Sequence, residues 1–328
     1  MRRREFIAVF GGAAAWPLAG YAQQTERMRR VGVLMHFSAS DPRSQVWVTT
    51  LRQALAHLGW DQDKNIQFDY RFAAGDLKLF ETYAAELVRL SPDVILAITS
   101  PAVFAVREQT HAVPIVFVNC PDPVGLGIVQ SLAHPGGNIT GFASYDAAII
   151  GKWLQLLKEI APNVARVAII FNPDTASPNQ SLNRQIDLAA RSIEITVTLA
   201  PVRDDASIEE AVDAEGREQG GGLVVLPDSF NVTHRDVIVA AAARNRLPLI
   251  SLDLFPRAGG LMSYWFGSVE LYREAASYID RILNGVNPAD LPVQYPTKYS
   301  LIINLKTAKA LGLTVPPSML DLADEVIE

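Results

Sequence analysis

The sequence predicts an α/β protein: two doubly wound parallel-sheet lobes in succession, with a cleft between them. Three observations carry this expectation. Short β-branched runs recur along the chain and stay apolar on consecutive residues, as strands covered on both faces do. Segments with apolar residues three and four apart separate them, as amphipathic helices do. The alternation runs from about residue 30 to residue 143 and starts again at 166, so two similar units follow one another.

In chain order, the first set of strands is "VGVLMHF" at 31, "NIQFDYRF" at 65, "DVILAIT" at 93, "PIVFVN" at 114 and "ITGFAS" at 139. Leu51, Ala54, Leu55 and Leu58, then Tyr83, Leu87 and Leu90, mark helices between them. The second set is "RVAIIFN" at 166, "TVTLAPV" at 196, "GLVVLPD" at 222, "LPLISLD" at 247 and "LMSYWF" at 261. The tail adds a strand at Tyr299 to Asn304 and short helices, too little for a third domain. The boundaries expected are 28–143 plus about 262–290 for lobe one, and 144–261 plus about 291–328 for lobe two.

Residues 1–22 have a basic start, an apolar middle from Phe6 to Ala19, and small residues Gly20 and Ala22 at the end, which is the pattern of a cleaved export signal. Arg3-Arg4-Glu5-Phe6-Ile7 fits its twin-arginine form, with a general secretory signal as the alternative. The apolar stretch is shorter than the roughly 20 residues of a membrane-spanning helix, and no later segment comes closer. No cysteine follows it to carry a lipid anchor, so the expectation is a periplasmic protein that does not span the membrane. Removing Arg2, Arg3, Arg4 and Glu5 from 29 basic and 35 acidic residues leaves 26 and 34, a net charge near -8 without a basic cluster beyond Arg30, which disfavours nucleic acid as a partner. Cys120 is the only cysteine, so an intrachain disulfide is excluded and stability must come from packing.

Several strands end in small polar or acidic residues before a turn or helix: Thr99-Ser100, Asn119, Asn172, Asp228-Ser229 and, more weakly, Asp253. Helix capping alone accounts for any one of these. Together they lie on the edge where open α/β sheets bind ligands, and where helix N-termini present free amides to an anion. Thr99 and Ser100 are the candidate carboxylate binders, and Asp228 and Asp253 the candidate partners for an ammonium group. Phe37 and Ser38 after the first strand, with Tyr264, Trp265 and Phe266 at a crossing between lobes, are candidates for an apolar wall, although aromatic residues equally fill cores.

Other chemistries lack their signatures. The slot between the first strand and its helix reads "MHFSASDPRSQ" rather than the glycine-rich dinucleotide fingerprint. The five histidines show no metal-ligand spacing, and no nucleophile elbow occurs. Cys120 has no base or cation beside it in sequence and reads as a small buried residue. Neither catalytic residues nor a cofactor are expected.

The stretches "DPVGLGIVQSLAHPGGNITG" (122–141), "KWLQLLKEIAPNVARVAIIFNP" (152–173) and "YSLIINLKTAKALGLTVPPSML" (299–320) resemble the substrate-binding proteins of bacterial ABC transporters, in the family that includes tryptophan- and tyrosine-type binders. The resemblance covers nearly all of the chain after the signal. It implies a type I periplasmic-binding fold, two lobes joined by three crossings that close on a small solute and then dock on a permease in the inner membrane. An aromatic amino acid or aromatic carboxylate suits the candidate residues, as a branched aliphatic amino acid or purine-like solute also would. Carried over by position, the resemblance places ligand contacts at Ser38, Thr99, Ser100, Asn119, Asn172, Asp228 and Asp253. This chain departs from the family in having Cys120-Pro121 before the Asp-Pro-Val corner.

In "NCPDPVGLGIVQSLAHPGGNITGF" (119–142), Asn119 reads as a strand tip facing the cleft. Pro121-Asp122-Pro123 turns into a helix from Val124 to Leu132, and Pro135-Gly136-Gly137 leads to the strand that crosses to lobe two. A monomer is expected. The rival readings are a sensor subunit serving a membrane receptor, and a two-lobe enzyme such as a racemase; the two-thiol version of the latter needs a cysteine from each lobe.

Overall fold

The computed structural model describes residues 27–62, 64–145, 148–176 and 180–328. The export signal expected at 1–22 lies outside the described residues. The first lobe is built from β1 (Arg29–Met35), α1 (Pro42–His57), β2 (Ile66–Phe72), α2 (Leu77–Arg89), β3 (Val94–Ile98), α3 (Ser100–Gln109), β4 (Ile115–Cys120) and β5 (Ile139–Ala143). Its sheet has the order β2-β1-β3-β4-β5, and each neighbouring pair is parallel.

Alternation explains why these strands read as unbroken apolar runs. Val31, Val33 and Met35 point to the face that carries Trp47, Leu51 and Leu55 of α1, whereas Leu34, Ile95 and Phe117 join Phe80, Ala84 and Leu87 of α2 on the other. Asp41 accepts the Arg43 amide at 2.9 Å and starts α1, with Pro42 at its first position; Asp76 caps α2 in the same way. Gly141 is required in β5: a Cβ there would lie 2.2 Å from the Phe117 carbonyl oxygen.

The second lobe continues with α4 (Ala148–Ile160), β6 (Arg166–Phe171), α5 (Pro173–Ala176), α6 (Gln180–Ser192), β7 (Thr196–Pro201), α7 (Asp205–Gly216), β8 (Leu223–Val225), α8 (Ser229–Thr233), α9 (Arg235–Arg244), β9 (Leu249–Ser251), α10 (Leu254–Arg257) and β10 (Met262–Trp265). The chain then runs through α11 (Ser268–Leu283), β11 (Ser300–Asn304), α12 (Leu305–Leu311), α13 (Pro317–Leu322) and β12 (Glu325–Ile327). The second sheet has the order β12-β11-β10-β9-β8-β6-β7, parallel except between β10 and β11.

Five details differ from the sequence expectation. Residues 262–265 were expected with lobe one, but β10 pairs with β9 and β11 in the second sheet. Only α11, which packs on α1 and over β4, returns to the first lobe. Residues 291–294 also stay with lobe one: Thr140 Oγ1 donates to the Leu291 carbonyl at 2.6 Å, and the Ala143 amide to Gln294 at 2.8 Å. The chain therefore covers the free edge of β5 before it crosses. It passes between the layers after Ala143, after Trp265 and after Gln294.

No helix forms over Val124–Leu132. Asp122 Oδ1 takes the Gly125 amide at 3.0 Å, Gly127 adopts φ +64°, and the Gln130 amide turns to the Pro135 carbonyl at 2.8 Å, so the segment is a chain of turns. β12 and the antiparallel pairing of β11 were not anticipated. No helix among the described residues is long and apolar enough to cross a membrane.

Candidate ligand-binding cleft

The carboxyl ends of both sets of strands face two adjoining cavities, of about 250 Å³ and about 350 Å³. Thr99, Asn119, Pro227, Asp228 and Ser229 line both, which makes this group the centre of the cleft. The first cavity extends over Ser100, Phe104, Asp122, Tyr145, Asp174 and Thr175. The second extends over His36, Phe37, Arg43, Trp47, Asp253 and Trp265.

On the first-lobe side the backbone is bent to present its polar groups. Thr99 has φ +80° and Asn119 φ +60°, conformations that side-chain-bearing residues seldom adopt, and β4 carries a register shift between Val118 and Cys120. Thr99 makes no side-chain capping bond at the start of α3, and its Oγ1 is buried without a partner. Of the first-turn amides of α3, Val103 donates to the Thr99 carbonyl at 3.2 Å and Pro101 has no amide hydrogen, so Ser100 and Ala102 are the ones that a Thr99 cap would have served. Ser100 is buried, with its Oγ 3.1 Å from Cys120 Sγ. Burial, eased by that contact, pushes the Cys120 thiol up to about 12, so it is a packed hydroxyl partner rather than a nucleophile.

From the second lobe, Asp228 caps α8: its carboxylate accepts the Asn231 amide and the Asn231 side-chain Nδ2, each at 2.8 Å. Burial raises its pKa from 3.8 to about 6, against the opposing pull of the Asn231, Asn172 and Phe230 amides. The capping and cleft roles proposed as alternatives are thus both compatible with its position. Asp253, half-buried in the second cavity, is also raised by burial, with Arg257 opposing. Ser229 is buried and lines both cavities.

The aromatic wall is continuous. Phe37 and Trp47 have centroids 5.2 Å apart, His36 lies 3.8 Å from Phe37, and the Arg43 guanidinium covers the Phe37 ring at 3.7 Å. Arg43 is held in place by Asp41, through Nε at 2.9 Å and Nη2 at 2.6 Å. Burial and the nearby Arg43 charge lower the His36 pKa to about 3, which keeps the imidazole neutral.

Four of the candidate residues, Ser38, Asn172, Tyr264 and Phe266, do not line either cavity, and Phe266 is buried against Trp265 and Tyr299. The Ser38 hydroxyl meets Ser40 at 3.1 Å, and its carbonyl accepts Ser44 Oγ at 2.9 Å, so it shapes the loop before α1. Asn172 is buried and spends its Oδ1 on the Asp174 amide at 2.8 Å, as a cap for α5. Tyr264 points away and stacks on Tyr299 at 5.3 Å; strand alternation brings its neighbour Trp265 to the cavity instead. Arg43, Trp47 and Tyr145 reach the cleft without having been singled out. Trp47 carries the same spacing as the core residues Leu51 and Leu55, so its sequence signal was that of packing.

The family described as ABC transporter substrate binding protein matches residues 31–327. The chain is similar to the tyrosine-binding protein of Clostridioides difficile, with 27% identity over 263 residues, which are 80% of this chain and 75% of that protein. A solved structure of a conserved domain protein from Vibrio cholerae superposes with a TM-score of 0.84 at 27% identity, covering 92% of this chain and 100% of the other. The L-Trp complex of an ABC domain from Streptococcus pneumoniae gives 0.83 at 25% identity, covering 91% and 99%.

Proposed function

The chain belongs to the ABC transporter substrate binding protein family, and from that premise we propose that it is the exported solute-binding component of an importer, closing by hinge motion on an aromatic amino acid. The observation that carries this reading is the cleft's composition: polar strand ends of both lobes meet around Thr99, Asn119, Asp228 and Ser229, beside a wall of Phe37, Trp47 and Trp265. A ligand that touches both lobes favours the closed state by its difference in affinity for closed over open. A permease in the membrane would read that closed shape, and residues 1–22 would direct export to the periplasm. The similar proteins named for tyrosine binding and solved with L-Trp support the aromatic assignment. The reading includes no chemical change to the ligand.

A thermal-shift screen of the amino acids tests it. A ligand at 100 times its Kd adds about 2.7 kcal/mol of stability. Aromatic amino acids should raise the melting temperature most. A screen in which only sugars or aliphatic amino acids do so, or in which the bound compound is chemically turned over, overturns the proposal.

A further inference from the structure

We propose that Arg43 receives the ligand's carboxylate through its Nη1, which makes the second cavity the anionic end of the site. The proposal rests on the reading of the cleft as an amino-acid site, and deepens it by naming the residue that reads the acid. Among the described residues that line the two cavities, Arg43 is the one with a permanent positive charge, since the buried His36 imidazole stays neutral.

The guanidinium is fixed before any ligand arrives. Its Nε and Nη2 fork onto Asp41 at 2.9 and 2.6 Å, and its carbon sits over the Phe37 ring, 3.7 Å from the centroid. Asp41 is itself held, because its carboxylate starts α1 by accepting the Arg43 amide. That fork occupies one edge of the guanidinium. Nη1, at the remaining corner, is buried and has no hydrogen-bond partner among the described residues.

A charged donor left dry and unpaired is costly, so an oxygen that reaches it gains the bond without stripping water from the nitrogen. Asp253 of the opposite lobe lines the same cavity and feels the Arg43 charge, yet Arg43 pairs with Asp41 instead. The cavity lies between the lobes, so an anion admitted while they stand apart is enclosed against Arg43 as they close. Thr99 Oγ1 is a second unpartnered donor lining the cleft, but it is neutral, and a bond from a charged donor is roughly twice as strong. Arg43 therefore dominates recognition of the acid.

Titration calorimetry of the full mature chain tests the proposal with L-phenylalanine, L-tyrosine and L-tryptophan, each beside its carboxamide, in a mildly acidic buffer that keeps every α-amine protonated. The amide retains the ring and the ammonium group and removes only the negative charge. The best-bound amino acid should bind about 10 to 100 times more tightly than its amide, and Arg43→Gln should reduce that ratio to about threefold or less. Because Arg43→Gln also gives up Asp41 and Phe37, a purely structural loss weakens acid and amide alike and leaves the ratio high. Thermal melting followed by circular dichroism shows whether the variant is folded. If it is not, Arg43→Lys, which keeps the charge but not the fork, should lower the ratio by at least about threefold. A ratio that survives in the folded variant gives the carboxylate to Thr99 or to the first amides of α3, and overturns the proposal. A wild-type chain that binds the amide as tightly as the acid overturns it too and leaves the amino-acid reading intact. An absence of binding by all three amino acids overturns both.

Discussion

Asp228→Asn probes the energetic cost of keeping a carboxylate at the centre of the cleft. The Asp228 carboxyl titrates near 3.8 without its surroundings and at about 6 in the folded chain, with burial as the main cause. A carboxyl whose folded pKa is raised binds more protons folded than unfolded, so stability falls as pH rises through that window. The cost is absent below the unfolded value, where both states are protonated, and complete above the folded one. At roughly 1.4 kcal/mol per tenfold change in proton affinity, it reaches about 3 kcal/mol at most, because the cavity side leaves the group partly hydrated.

Asparagine keeps the capping oxygen for the Asn231 amide but cannot accept from Asn231 Nδ2 while its own Nδ2 faces that donor. That lost bond is a fixed offset, independent of pH. Urea unfolding of both proteins from about pH 4 to about pH 8 therefore separates the two effects. The stability of Asp228→Asn relative to the parent should rise with pH across the interval, by about 1 to 3 kcal/mol, whatever its value at the acid end. Two parallel pH profiles would refute the reasoning, since they would mean that Asp228 titrates alike in folded and unfolded chains.

Trp153 is fully buried in α4 and donates its Nε1 to the Tyr264 carbonyl at 2.8 Å, so Trp153→Ala should cost about 3 to 5 kcal/mol in chemical denaturation, through both the cavity and the orphaned carbonyl. Gly141→Ala places a methyl 2.2 Å from the Phe117 carbonyl oxygen and should lower the melting temperature far more than the same change at Gly267, where a Cβ meets nothing within 4 Å. The Cys120 thiol, buried and raised to about 12, should resist iodoacetamide in the native chain at about pH 8 and react fully in urea, as read by mass spectrometry.

The central strands were legible because they are buried on both faces, which leaves a continuous apolar run, whereas the partly exposed edge strands β2 and β7 were legible from β-branched and aromatic content and from their place in the alternation. Where neither signal is present, the strand is missed. β12 is a three-residue edge strand, Glu325–Ile327, and its pattern of partly exposed residues carries no periodicity to read. The antiparallel β11 is as apolar as its parallel neighbours, so direction was not encoded in its composition. At 124–132 the apolar spacing of Val124, Ile128 and Leu132 imitates a helix, but Gly125 and Gly127 lower its stability while Asp122 offers the Gly125 amide a competing acceptor.

The candidate cleft was legible only to the precision of a strand end. A polar residue at the tip of a buried strand has two outlets, the cavity ahead of it or the amides of the helix that follows, and the sequence is the same for both. Asn172 takes the second outlet, capping α5. Thr99 and Asn119 take the first, and what separates them from Asn172 is backbone geometry: both sit at positive φ, and Thr99 makes no side-chain capping bond to α3. Asp228 does both, capping Asn231 while lining the two cavities. Alternation decided the aromatic wall in the same way, since within Tyr264-Trp265-Phe266 the middle residue reaches the cavity while Tyr264 stacks on Tyr299. Cleft membership thus depends on torsion and register at single residues, which composition leaves undetermined and the packing of two completed sheets decides.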